Sequence, residues 1–165
     1  MIRKKIDAML DALPEEELEH IYWSVIRVKE HYDHKQNLAN KGITIDYNDG
    51  DSDIILKRWE ATFATVSKQT KEEIHYESFK WHLYSYQKLP YLEGDAARKA
   101  FDEMTKTDVY FMYEGTPLVQ VYKNAYNMVS TDIDNQQDIY LFDQTFSWTY
   151  IHTHEDMCGP YFVRL

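Results

Sequence analysis

The chain is short of several residue types, and each shortage narrows the functions open to it. There is one cysteine, Cys158. No intrachain disulfide can form, which suits a reducing cytosol. Glycine is scarce, with 5 among 165 residues. None sits in a phosphate-cradling loop of the Walker or dinucleotide type, and no Gly-x-Ser-x-Gly elbow occurs. No uninterrupted apolar run is long enough for a signal peptide or a spanning helix. Basic residues thin out along the chain, and beyond Thr107 only Lys123 and Arg164 remain. An acidic surface repels phosphate backbones, so nucleic acid is not an expected partner. Together these shortages predict a cytoplasmic protein that touches neither nucleic acid nor membrane.

What is present is acid and tyrosine. The formal net charge is −10, and 14 residues are tyrosine. The charge is uneven: residues 1–41 hold 7 bases and 8 acids, the rest 11 bases and 20 acids. Such a surface steers a basic partner inward. Tyrosine packs its ring and keeps a wet hydroxyl, as at half-buried faces and interfaces. A chain of this length buries roughly 70% of the surface it exposes when unfolded, enough for one real core.

Ile2, Ile6, Met9, Leu10 and Leu13 line one face of a first helix. Pro14 suits the first turn of a second, where its missing N–H costs nothing. Glu15, Glu16 and Glu17 favour the positive end of that helix dipole. Leu18, Ile21, Val25, Val28 and Tyr32 continue at spacings of three and four, with Trp23 and Ile26 widening the stripe. This αα-hairpin has more apolar surface than two helices can hide, so residues 1–41 read as a packing or oligomerisation appendage. Residues 42–52 read as a linker within a boundary from Asn37 to Asp53. Asp46-x-Asn48 fails as a calcium loop, because its sixth position is not Gly and Lys57 replaces the twelfth-position Glu.

Residues 53–165 read as an α+β domain. Ser52 is placed to cap a helix carrying Ile55, Trp59, Phe63 and Val66, and Thr70 to Glu73 form a capping box. Phe79 to Tyr86 read as extended, and Asp95 opens a helix through Met104. Strands then dominate. Val109 to Tyr113 and Leu118 to Tyr122 flank the turn Glu114-Gly115-Thr116-Pro117, and Asp138 to Phe142 pair with Phe146 to His154. Tyr161 to Val163 make a last strand. Helices first and strands last predict helices packed on an antiparallel sheet.

Several segments carry a resemblance in order. They are Lys80-Trp81-His82-Leu83-Tyr84-Ser85-Tyr86, Leu92-Glu93-Gly94-Asp95-Ala96-Ala97-Arg98-Lys99-Ala100-Phe101, Asp138-Ile139-Tyr140, Trp148-Thr149-Tyr150-Ile151-His152-Thr153-His154-Glu155 and Gly159-Pro160-Tyr161-Phe162. Over about residues 53–162 the chain resembles an uncharacterised bacterial family of unknown function. The resemblance implies a small cytosolic globular domain and brings no activity, cofactor or catalytic residue. Leu10 to Leu18 are similar to short helical appendages beside bacterial regulatory domains.

Two chemistries compete for the acidic C-terminal half. His152-x-His154 on a strand projects two imidazoles to one side, about 6.5–7 Å apart. With His82, Glu155 or Asp156 as a third ligand, they form a candidate zinc site that activates water. The plainer alternative has both histidines finishing an aromatic core face. Cys158 makes a poor nucleophile, since Glu155 and Asp156 raise a thiol pKa. The leading expectation is a non-catalytic acidic protein-binding domain, of an inhibitor, immunity or anti-defence type, acting on a basic partner and needing no cofactor. Tyr110, Tyr113, Tyr122 and Tyr140 are its expected anchors, beside Glu114, Asp132, Asp134 and Asp138. A metal-dependent hydrolase at His152 and His154 is the alternative. A structural protein that forms a homodimer through the N-terminal helices is the third reading.

Overall fold

The structure, a computed structural model, describes residues 1–47 and 50–165. Asn48 and Asp49 of the expected linker lie outside the described residues. The chain divides into two compact units, Met1–Asn37 and Leu38–Leu165.

The first unit holds α1 (Ile2–Leu10) and most of α2 (Glu15–Asn40). The turn between them is held by Asp11 N–H on Asp7 O, Leu13 N–H on Leu10 O, and Glu17 N–H on Pro14 O. Pro14 therefore stands just before α2 and supplies an early carbonyl acceptor, while Glu15, Glu16 and Glu17 fill its first turn. α1 has no buried residue. The apolar stripe stays open, with Ile2, Met9, Val25, Val28 and Tyr32 all exposed.

The second unit is a seven-stranded antiparallel sheet with helices on both faces. Its strands are β1 (Thr44–Tyr47), β2 (Leu92–Glu93), β3 (Val109–Tyr113), β4 (Val119–Lys123), β5 (Ile139–Asp143), β6 (Trp148–His152) and β7 (Tyr161–Arg164). Their order is β1-β4-β3-β5-β6-β7-β2. The sheet confirms the α+β class. It also corrects the linker, since Thr44 to Tyr47 pair with Lys123 to Gln120 as an edge strand.

Being covered on both sides explains the sequence of the central strands. Ile139 to Phe142 and Trp148 to Ile151 are buried at every position, so they read as continuous apolar runs. One face meets α3 (Ser52–Phe63), α4 (Lys68–Glu73) and α5 (His82–Ser85). There Trp59, Phe63, Trp81 and Tyr84 pack on Met112, Tyr140, Phe142 and Ile151. The other face meets α6 (Gly94–Glu103), with Ala97 and Phe101 against Leu141, Trp148 and Tyr150. Phe101 and Tyr150 lie 4.4 Å apart between ring centroids.

Local capping differs from expectation in two places. Ser52 does not cap α3; its hydroxyl instead accepts from Val119 N–H at 3.0 Å, tying the helix to β4. α4 is capped by Ser67, which accepts from Thr70 N–H. The Phe79–Tyr86 segment is not extended. It winds through turns into α5, closed by Tyr86 N–H on His82 O. Trp81, Leu83 and Tyr84 are buried there, so turn packing rather than strand alternation sets its pattern.

Candidate functional site

The polar chemistry gathers where β5 and β6 meet the Phe79–Tyr86 turns. Asp138 stands just before β5 with φ of 51°, a left-handed position that aspartate tolerates. Its carboxylate accepts from the Trp81 indole N–H at 3.0 Å and from the His154 backbone N–H at 3.2 Å. His154 Nδ1 lies 2.9 Å from each of its oxygens. A carboxylate only accepts, so Nδ1 carries a proton in this contact, and Nε2 lies 3.9 Å from Glu155. The His154 ring also packs 5.1 Å from Phe79.

Beneath this corner lies a second network. Glu114 accepts from the Lys80 backbone N–H and from Lys80 Nζ, both at 2.7 Å, and from the Tyr140 hydroxyl. Tyr140 in turn accepts from Trp81 N–H at 3.0 Å. Burial, with the Glu114 charge beside it, pushes the Tyr140 hydroxyl pKa well above its usual range. Tyr140 is thus a structural donor at any ordinary pH.

The expected anchor surface is corrected by these contacts. Tyr122 and Tyr140 are core residues, at 1% and 0% exposure. Tyr122 stacks on Phe111 with centroids 4.7 Å apart. Tyr113 is half-buried, its hydroxyl bonded to Gln136, and burial raises its pKa to about 12. Tyr110 is half-buried against Phe142 and Phe146. Asp132 is buried and paired with Lys41 at 2.7 Å. Asp134 is exposed and paired with Arg98 at 2.6 Å. Tyr122 and Tyr140 thus place their rings in the core, and the Tyr113 and Tyr140 hydroxyls are bonded internally.

The histidines do not project together as strand alternation predicts. β6 ends at His152. His152 Nδ1 lies 2.7 Å from the Gln136 carbonyl, and its Nε2 is 4.0 Å from Asp134, which ends the short 3-10 turn Ser130–Ile133. Thr153 then bends the chain by bonding the Glu155 and Cys158 carbonyls. His154 thereby turns to Phe79 and Trp81, which belong to the opposite core. His82 sits on α5, not on an adjacent strand, with Nδ1 2.7 Å from the Ile74 carbonyl. Among the described residues, no three His, Cys, Asp or Glu side chains come together to hold a metal ion. Cys158 bonds Glu155 at 3.3 Å, and burial and that carboxylate raise its pKa, which disfavours the thiolate.

The bend after β6 makes a small hollow of about 140 Å³, lined by Arg98, His152, Thr153, Glu155, Asp156 and Cys158 among others. Of these, Glu155 and Asp156 are exposed, and the next residue, Met157, is 91% exposed. Glu93 approaches the same loop through Gly159 N–H at 3.4 Å. Arg98 and Met157 were not among the residues expected at a site; the signal for Met157 is its place in the loop between Glu155-Asp156 and the turn-forming pair Gly159-Pro160.

A family model described as Domain of unknown function (DUF4275) matches residues 33–162. No curated protein and no solved structure matches the chain.

Proposed function

The chain belongs to that family of unknown function, and since membership brings no activity, we propose that it is a non-catalytic acidic domain that binds a basic protein partner through the loop after β6. The supporting observation is the acid-rimmed hollow. Glu155 and Asp156 line a recess of about 140 Å³, Arg98, which also lines it, is paired with Asp134, and the exposed Met157 is the next residue in the chain. A lysine or arginine side chain suits such a recess, with its ammonium or guanidinium against carboxylates and its stem on methionine. Residues 38–165 carry 12 bases and 20 acids, a net of −8 that draws a cation toward the rim. Among the described residues, the imidazoles that a hydrolase would use do not gather with other ligands into a group that could hold a metal ion.

Capture from host extract tests this, with the wild-type chain and an E155Q/D156N variant as baits. The wild type is expected to retain a basic protein, and binding is expected to weaken as salt rises. The variant loses affinity by about tenfold or more, the equivalent of about 1.4 kcal/mol. Equal capture by both baits, or capture indifferent to salt, rejects the proposal.

A further inference from the structure

The apolar stripe of α2 is open towards its C-terminal half, with Leu18 and Ile21 half-buried and Val25, Val28 and Tyr32 exposed. Leu18, Ile21, Val25, Val28 and Tyr32 follow one another at steps of three, four, three and four. That is the seam of a coiled coil over two heptads. Val25 is 57%, Val28 70% and Tyr32 60% exposed. Tyr22 flanks the strip and is also exposed. A shallow hollow of about 330 Å³ lies along His20, Ile21, Ser24, Val25 and Val28, where the small Ser24 side chain leaves room. A contiguous apolar strip of this kind marks an interaction site.

The charges along the same helix select the occupant. Its first turns carry Glu15, Glu16, Glu17 and Glu19, with no base among residues 15–26. Residues 27–35 carry Arg27, Lys29 and Lys35 against Glu30 and Asp33. Lys29 and Asp33 bond each other one turn apart. The helix is therefore acidic at one end and weakly basic towards the other. A second copy laid parallel sets four carboxylates against four. Laid antiparallel, it sets each acidic end against the partner's Arg27, Lys29 and Lys35, and two-fold symmetry makes the match twice.

We propose that α2 pairs antiparallel with α2 of a second copy of this chain, through the Leu18–Tyr32 seam. This stands independently of the basic partner proposed above, which concerns the loop after β6.

The test is the mass of the full chain in solution, by light scattering at micromolar concentration, with orientation read by crosslinking. The wild type is expected at twice the chain mass, and a V25E/V28E variant at the chain mass with helix content unchanged. Light and heavy isotope-labelled chains are then mixed and treated with a carboxyl-to-amine crosslinker. Light-to-heavy links from Glu15, Glu16, Glu17 or Glu19 to Lys29 or Lys35 are expected. Within one helix, Glu19 and Lys29 are about 15 Å apart along the axis, beyond such a reagent. A wild-type chain that stays at single mass overturns the pairing, as does a dimer without those mixed links. V25E/V28E keeps the loop after β6, so it retains basic-partner capture even where pairing is lost.

Discussion

Glu114 and Tyr140 meet inside the second unit, the tyrosine hydroxyl donating to a carboxylate that Lys80 also engages twice. The pair joins the β3–β4 turn to β5 and to the turns before α5. The Glu114 side chain is 8% exposed, so its bonds meet little water and each counts for more.

Tyr140→Phe is expected to remove about 1–3 kcal/mol of stability, because the carboxylate loses a donor without gaining water. Glu114→Ala is expected to cost about 3–5 kcal/mol, since it strands the Lys80 ammonium and two other donors. Urea unfolding measures both as a lowered midpoint at unchanged slope. A loss below about 0.5 kcal/mol in either variant contradicts a structural role for the network.

Asp143 ties the β5–β6 turn. Its carboxylate accepts from Ser147 N–H at 2.6 Å, Trp148 N–H at 3.0 Å and the Ser147 hydroxyl at 2.9 Å, as well as from Thr145. Burial alone would raise its pKa, but these hydrogen bonds outweigh burial and leave it below the usual 3.8. A depressed pKa means stability that is present above the unfolded value and lost as pH falls through the folded one. Asp143→Asn is expected to cost about 1–2 kcal/mol at neutral pH and to unfold with a shallower acid dependence. Equal acid slopes in the two proteins would refute the assignment.

Lys106 is a buried amine. Its Nζ donates to the Met104 carbonyl at 3.1 Å and lies 4.3 Å from the Phe101 ring centroid. Burial lowers its pKa from 10.5 to about 8, partly opposed by Asp102 and Asp132. Below about pH 8 both states bind the proton and the folded state carries the desolvation cost; between 8 and 10.5 only the unfolded state does, so stability rises with pH. The rise is expected to be on the order of 1–3 kcal/mol in the wild type and absent in Lys106→Met. Chemical unfolding across pH 7–10 reads it. A flat wild-type profile removes the proposal of a buried neutral lysine.

Much of the second unit was legible because its hairpins have clear turns. Glu114-Gly115-Thr116-Pro117 marks β3 and β4, and Asp143 marks β5 and β6. β1 was missed because Thr44-Ile45-Asp46-Tyr47 lies among turn residues and buries little; its strand character comes from pairing with β4. The site was harder to read than the fold. Alternation predicts one face for His152 and His154, but it applies only while the strand continues, and Thr153 ends it. Tyr122 and Tyr140 were read as anchors for a different reason: an amphipathic ring fits an interface or a core equally, and for Tyr140 the internal acceptor Glu114 decides for the core.

The order of the sheet bears on how the chain is made. Its two earliest strands lie at opposite rims, and each pairs with a later segment: β1 with β4, β2 with β7. As the nascent polypeptide leaves the ribosome, Leu92 and Glu93 emerge long before Tyr161 and Phe162. That rim stays open until the last strand arrives, so a stalled translation product offers chaperones an unfinished border.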